Sequence, residues 1–184
     1  QYLCEEGNTV LGYDASDNRS VKILVKKGVE VINKLSLERI PDYMKEEDVI
    51  VVYTPAIPDD NIFLKYFRSN GNNPIFKRSE ILGEISKQSK CIAVAGTHGK
   101  TTTTAIISHL FHSSGIHFKA FIGGIMKCFD SNYINTGNDY IIVEADEYDR
   151  SFLNLNPNYA VITSIENDHL DVYGDFKSLT ESFQ

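Results

Sequence analysis

The stretch CIAVAGTHGKTTTTAII, residues 91–107, limits what this chain can fold into more than any other. Apolar and small residues run without a break from Cys91 to Ala95, the pattern of a strand buried on both faces of a parallel sheet. Gly96 and Gly99 mark a tight turn, after which the pairs Ile106/Leu110 and Ile107/Phe111 fall at i, i+4, the spacing of a helical face. This predicts a helix over Thr101–Ser114 closed by Gly115. A strand that feeds a helix through so short a turn belongs to an α/β fold whose parallel strands are joined by crossover helices.

The same rhythm precedes it. NTVLGYD, VEVIN and DVIVVYTP read as strands, the last so uniformly apolar that it is expected to be buried on both faces. SVKILVKKG reads as a helix stopped by Gly28, DDNIFLKYFRSNG as a second helix, NPIFKR as a short strand, and SEILGEISKQ as a helix with Ser79 as N-cap. Downstream, YIIVE and YAVITSI read as two more buried strands. The expectation is a doubly wound sheet over residues 1–88 and a second α/β unit with a mainly parallel sheet over residues 89–184. The opening QYLCEEGNTVLGYDAS reads as a helix tail, a glycine stop and a strand, as if the chain began inside a domain.

Composition narrows the partners. The 184 residues carry a formal charge of −7, which argues against a nucleic-acid groove, because such grooves need clustered Lys and Arg. Small molecules are the expected ligands. No apolar run approaches the roughly 20 residues that span a bilayer, and the N-terminus lacks the order of a signal peptide, so no membrane partner is expected. Cys4, Cys91 and Cys128 are odd in number and form no C-x-x-C pair, and are expected to be free thiols in a reducing cytoplasm.

The central turn points to chemistry. Backbone N–H groups at a helix N-terminus, helped by the helix dipole, attract an anion. Lys100 adds a mobile cation for a phosphate and Thr101 a hydroxyl suited to Mg²⁺. The spacing is G-x-x-G-K-T rather than the longer G-x-x-x-x-G-K-[ST], since position 94 is Val. The bland alternative is a glycine turn with a capping threonine and a surface lysine, but the flanking strand and helix favour a phosphate loop. Metal-binding carboxylates belong at the ends of neighbouring strands. Glu144 ends YIIVE, where an unpaired carboxylate would be costly without a cation. Asp146, Glu147 and Asp149 in EADEYD read equally well as a solvated loop, and His169 in ENDHLD as either a ligand or a structural histidine. His109, His112 and His117 read as surface residues.

Together AGTHGKTTTT, VEADEYDRSFLNLNP and ENDHLDVYGDF, in this order and spacing, resemble the Mur ligases. DVIVVYTPAIPDDN and NPIFKRSEIL are similar to pieces of the family's Rossmann-like UDP-substrate domain. The resemblance implies a UDP-sugar domain over residues 1–88 and a P-loop ATP domain over 89–184. It implies ATP and Mg²⁺ as cofactors, with UDP-N-acetylmuramate and L-alanine as substrates joined through an acyl phosphate. Gly96, Thr97, His98, Gly99, Lys100, Thr101 and Thr102 would cradle ATP, and Thr101, Glu144 and His169 would hold metal. Lys100, His98 and His169 would serve catalysis, with His98 toward the muramoyl carboxylate. Asp14, the segment Thr54, Pro55, Ala56 and Ile57, and Arg78 would lie near the UDP moiety.

Departures are as informative. Asn33-Lys34 stand where the family has Gly-His, and Ser164 stands where it has Asn. The family's first strand with its glycine-rich turn, its later central strands and its C-terminal domain have no counterpart here, so the chain reads as a piece of a ligase that does not complete the reaction alone. Exposed strand edges in such a piece would favour a homo-oligomer. Competing readings are the sibling ligase that attaches a recycled tripeptide to the same UDP-sugar, and a non-catalytic P-loop module. A dinucleotide oxidoreductase is disfavoured by the absence of G-x-G-x-x-G.

Overall fold

A computed structural model describes residues 1–45, 48–70, 73–166 and 173–183. The chain forms two compact units, Gln1–Lys77 and Arg78–Gln184. Both are mixed α/β, and nearly all strand pairs are parallel.

The first unit opens with α1 (Tyr2–Glu5) and then repeats one theme, a strand, a helix and a parallel strand. β1 (Leu11–Tyr13), α2 (Arg19–Lys26) and β2 (Glu30–Ile32) form the first repeat. β3 (Val51–Tyr53), α3 (Ile62–Ser69) and β4 (Ile75–Lys77) form the second. The helix starts are chemically marked, because Asn18 accepts from the Val21 N–H and Asn61 from the Phe63 and Leu64 N–H groups. Among the described residues β1–β2 and β3–β4 are separate two-stranded sheets, not the single doubly wound sheet expected. DVIVVYTP is therefore not buried on both faces. Ile50 and Val52 stay 59% and 38% exposed, because a two-stranded sheet has too little surface to be covered twice.

The second unit begins at α4 (Arg78–Ser86), so the contact boundary comes ahead of the joint expected at residue 88. The reason is packing. α4 lies against the 3₁₀ segment Tyr148–Asn154 so closely that a Cβ on Gly83 would sit 2.4 Å from the Asn154 carbonyl oxygen. Ser79 is not the N-cap of this helix but its second residue, since β4 runs directly into it.

A five-stranded sheet follows, in the order β7-β6-β8-β5-β9. Its strands are β5 (Lys90–Ala95), β6 (Phe118–Met126), β7 (Ser131–Asn135), β8 (Tyr140–Glu144) and β9 (Tyr159–Ile162), and only β6–β7 is antiparallel. The β6–β7 hairpin has no clear signal in the sequence, since Gly123 and Gly124 inside FKAFIGGIM weaken strand propensity. On one face Phe118, Ala120, Ile122, Ile134 and Ile142 pack with Ile92, Ile107 and Phe111. On the other, Ala93, Ala95 and Ala145 meet Phe152, Leu155 and Phe183. Alternation along β5 supplies both faces. YAVITSI proves to be an edge strand, with Tyr159 55% and Ile162 47% exposed, because β9 pairs only with β5 among the described strands.

Helix α5 (Lys100–Ser113) crosses this sheet. Ile107 and Phe111 enter the core, whereas Ile106 and Leu110 face outward, so only one of the two i, i+4 pairs is a core stripe. Buried Thr104 and Ser108 donate back to the Lys100 and Thr104 carbonyls at 2.8 and 2.7 Å, which accounts for two of the helix's many hydroxyls. The last helix, α6 (Phe176–Ser182), is capped by Asp175, which accepts from the Ser178 N–H. Among the described residues no helix is long and apolar enough to cross a membrane.

The cysteines are free, with Cys91 fully buried and Cys128 exposed. Burial pushes the Cys91 thiol up to about 11. Timed thiol labelling followed by peptide mass spectrometry is expected to modify Cys128 in the native chain and Cys91 only after unfolding. Early labelling of Cys91 would mean that the β5 face opens readily.

Candidate functional site

Strands β5, β8 and β9 run side by side and parallel, with Val94 paired to Glu144 and Ala95 to Ile162. Their carboxyl ends therefore share one sheet edge, where open α/β sheets hold ligands. Into this edge the Gly96–Gly99 turn delivers the N-terminus of α5. Gly96 has φ +123° and Gly99, the helix N-cap, has φ +82°.

The turn is clamped by the segment that leaves β9. The Thr97 N–H donates to the Ser164 carbonyl at 2.8 Å, the His98 N–H donates to Ser164 Oγ at 3.2 Å, and the Glu166 N–H donates to Thr97 Oγ1 at 2.9 Å. Thr163 Oγ1 donates to the His98 carbonyl. The clamp leaves no room at Gly96, where a Cβ would lie 2.4 Å from Thr163 Oγ1 and 2.7 Å from the Ser164 carbonyl oxygen. Among the described residues Gly99, the N-cap of α5, makes no side-chain cap bond, and N–H groups at such a helix start are suited to an anion.

Two carboxylates frame the helix start. Glu144 Oε1 accepts from Thr101 Oγ1 at 2.7 Å and Oε2 from the Gly123 N–H at 2.6 Å. The strand-end carboxylate is thus stabilised by a hydroxyl and a backbone donor, and it sits against a glycine whose Cβ would come within 2.6 Å of its oxygen. Glu147 is 2% exposed, and both its oxygens lie 2.8 Å from Lys100 Nζ. Lys100 also donates to the Gly96 carbonyl at 2.7 Å.

Of the residues singled out from sequence, Gly96 to Thr102 form one turn and helix start, and Glu144 lies within hydrogen-bond reach of Thr101. His98 is exposed, with Nε2 3.5 Å from Glu166. His169 lies outside the described residues, as does the side chain of Asp149. In the first unit Asp14 accepts from the Ser16 N–H and Oγ at 2.8 and 2.7 Å, and these bonds hold its carboxyl below the ordinary range. Thr54 to Ile57 form a turn closed by the Ile57 N–H on the Thr54 carbonyl. Arg78 is exposed at the start of α4, in the second unit. His109, His112 and His117 are exposed.

The reading of Glu147 as an acid of a solvated loop is corrected, since it is among the most buried side chains of the chain. No sequence signal separates it from Asp146, because its partner is 47 residues away. Ser164 was visible only as a departure from a pattern, yet it holds two N–H groups of the turn.

The donor set fits magnesium. A threonine hydroxyl beside a carboxylate supplies the hard oxygens that Mg²⁺ prefers, and that ion keeps several waters. Among the described residues no group of three or more His, Cys, Asp or Glu gathers as a metal cage.

The chain is similar to known proteins. Residues 1–90 match the family model for the Mur ligase family catalytic domain, and residues 94–184 match that for the Mur ligase middle domain. The UDP-N-acetylmuramate–L-alanine ligase of Christiangramia forsetii is 44% identical over the whole chain and 41% of its own length. That of Cytophaga hutchinsonii is 43% identical, over the whole chain and 40% of its own length. The crystal structure of the UDP-N-acetylmuramate-alanine ligase of Thermotoga maritima superposes with a TM-score of 0.89 at 30% identity, covering 99% of this chain and 42% of that one. The chain spans about two fifths of the length of these relatives.

Proposed function

Because this chain belongs to the Mur ligase family, we propose that it carries the ATP-binding part of a bacterial cytoplasmic ligase that joins L-alanine to the lactyl carboxylate of UDP-N-acetylmuramate. One observation carries the reading. A helix N-terminus, a lysine and a hydroxyl–carboxylate pair converge at one sheet edge, an arrangement suited to phosphates and a metal.

A carboxylate oxygen of the sugar attacks the γ-phosphorus of ATP, the bond to the β-phosphate oxygen breaks, and ADP leaves behind an acyl phosphate. The amine of L-alanine then attacks the acyl carbon, loses a proton and expels phosphate. Neither step needs a protein nucleophile, since phosphoryl transfer depends on positioning and on neutralising charge. The first-turn N–H groups of α5 hold phosphate oxygens, and Lys100 neutralises charge between them. Thr101 and Glu144, with His169, would hold Mg²⁺, which would supply positive charge to offset that of the phosphate oxygens. His98 orients that carboxylate, with Glu166 beside it. Asp14 and the Thr54–Ile57 turn contact the UDP moiety. The relatives at 41–44% identity favour L-alanine over the recycled tripeptide as the second substrate.

Calorimetric titration of the chain with ATP is expected to show binding that strengthens with Mg²⁺. In Thr101→Val and Glu144→Gln the magnesium dependence is expected to disappear while a weaker, metal-independent binding persists. ATP binding that ignores magnesium in the parent chain would defeat the metal assignment. Absence of binding would defeat the reading as a phosphate loop.

A further inference from the structure

The pair Lys100–Glu147 does more than satisfy a buried charge. An ammonium has three N–H donors. In the structure they face the Gly96 carbonyl at 2.7 Å, Glu147 Oε1 at 2.8 Å and, more distantly, the Thr97 carbonyl at 3.4 Å. Every donor of the phosphate-loop lysine is thus committed to a protein acceptor, and a phosphate gains this lysine only by exchange.

The two partners differ in freedom. The Glu147 backbone is pinned, because its carbonyl accepts from Tyr173 Oη at 2.6 Å and from the Arg150 N–H at 3.0 Å. The Arg150 guanidinium lies over the Tyr173 ring, 5.4 Å from its centre, and Tyr173 is itself 4% exposed. Lys100 sits on a flexible four-carbon stem at the first turn of α5. Glu147 therefore stays and the lysine moves.

We propose that Glu147 is a positioning residue that competes with the nucleotide's phosphates for Lys100, so that each binding event exchanges a buried carboxylate for a phosphate oxygen. The inference rests on the phosphate-loop reading. The exchange opposes binding, because it leaves the Glu147 carboxylate buried without its cation. In return the lysine is aimed and its charge is screened from weaker anions until a polyphosphate arrives.

The test is calorimetric titration of the 184-residue chain with ATP and with inorganic triphosphate. Glu147→Gln keeps the shape and removes the charge, and is expected to bind both ligands about tenfold more tightly, the effect of one charge-assisted contact no longer surrendered. Added to Lys100→Met, the same substitution is expected to give no gain, since no lysine is left to release. Unchanged or weaker affinity in a folded Glu147→Gln chain overturns the proposal. An equal gain in the Lys100→Met background also overturns it, because it would mean simple repulsion between anions. Glu147→Asp, which withdraws the charge by one methylene, is the second variant and is expected to gain part of the affinity. If thermal melts show neither Glu147 variant folded at room temperature, the competition idea fails, because a contact opened at each binding event cannot be essential to the fold. Absence of binding by the parent chain would overturn the phosphate loop together with this inference. Binding by the parent that Lys100→Met loses, with no gain in Glu147→Gln, would overturn this inference alone.

Discussion

Lys100→Met is expected to weaken ATP binding about 100-fold, the loss of roughly two charge-assisted hydrogen bonds of about 1.5 kcal/mol each. The same change takes the Lys100 ammonium from Glu147, whose side chain is 3% exposed, so a second loss of about 3 kcal/mol in folding stability is expected. These two effects come apart in the double variant. Lys100→Met with Glu147→Gln removes the buried carboxylate charge as well and is expected to recover most of the stability in denaturant titration, while ATP binding stays lost. If stability and binding returned together, Lys100 would be a structural lysine and the phosphate loop would need another cation.

Gly96→Ala is expected to be the most damaging single change in the turn. Gly96 holds φ +123°, and an added Cβ would meet Thr163 Oγ1 at 2.4 Å and the Ser164 oxygen and nitrogen at 2.7 and 2.9 Å. Two of these atoms are backbone and cannot rotate away. Strain and overpacking together are expected to remove about 3 kcal/mol or more. For a unit of this size that lowers the melting temperature by about 10 °C or more. Gly115→Ala is the control. It also has positive φ, +68°, but nothing lies within 4 Å of its Cβ, so only the left-handed backbone penalty of about 1 kcal/mol is expected. Equal melting of the two variants by calorimetry would mean that β9 does not clamp the turn.

The two predictions rest on features of different legibility. The glycines of the turn, the lysine and the following threonines stand within a few residues of one another, so the roles proposed for them follow from local rules for strand ends, turns and helix starts. The boundaries of α5 came within one residue for the same reason, since Gly99 and Gly115 punctuate it on both sides. The alternation of strands and helices likewise identified a mixed α/β chain with parallel strands. Glu144 was legible because a carboxylate at the end of an apolar run is conspicuous. Its partners were not, because Thr101 and Gly123 reach it from two other elements.

What the amino-acid order determined by itself was therefore most of the sequence of elements, the β6–β7 hairpin excepted, and the position of the glycine turn. Both depend on periodicity and on backbone preferences that act over a few residues, whereas the family came from the resemblance of its motifs. Only the tertiary structure decided that YAVITSI is an edge, that DVIVVYTP keeps exposed faces, that Ser164 holds the turn, and that Glu147 rather than a solvated neighbour receives Lys100. Each of these depends on which strands become neighbours and in what register. That choice is made by burying the faces of a whole sheet at once, so no short window of sequence contains it.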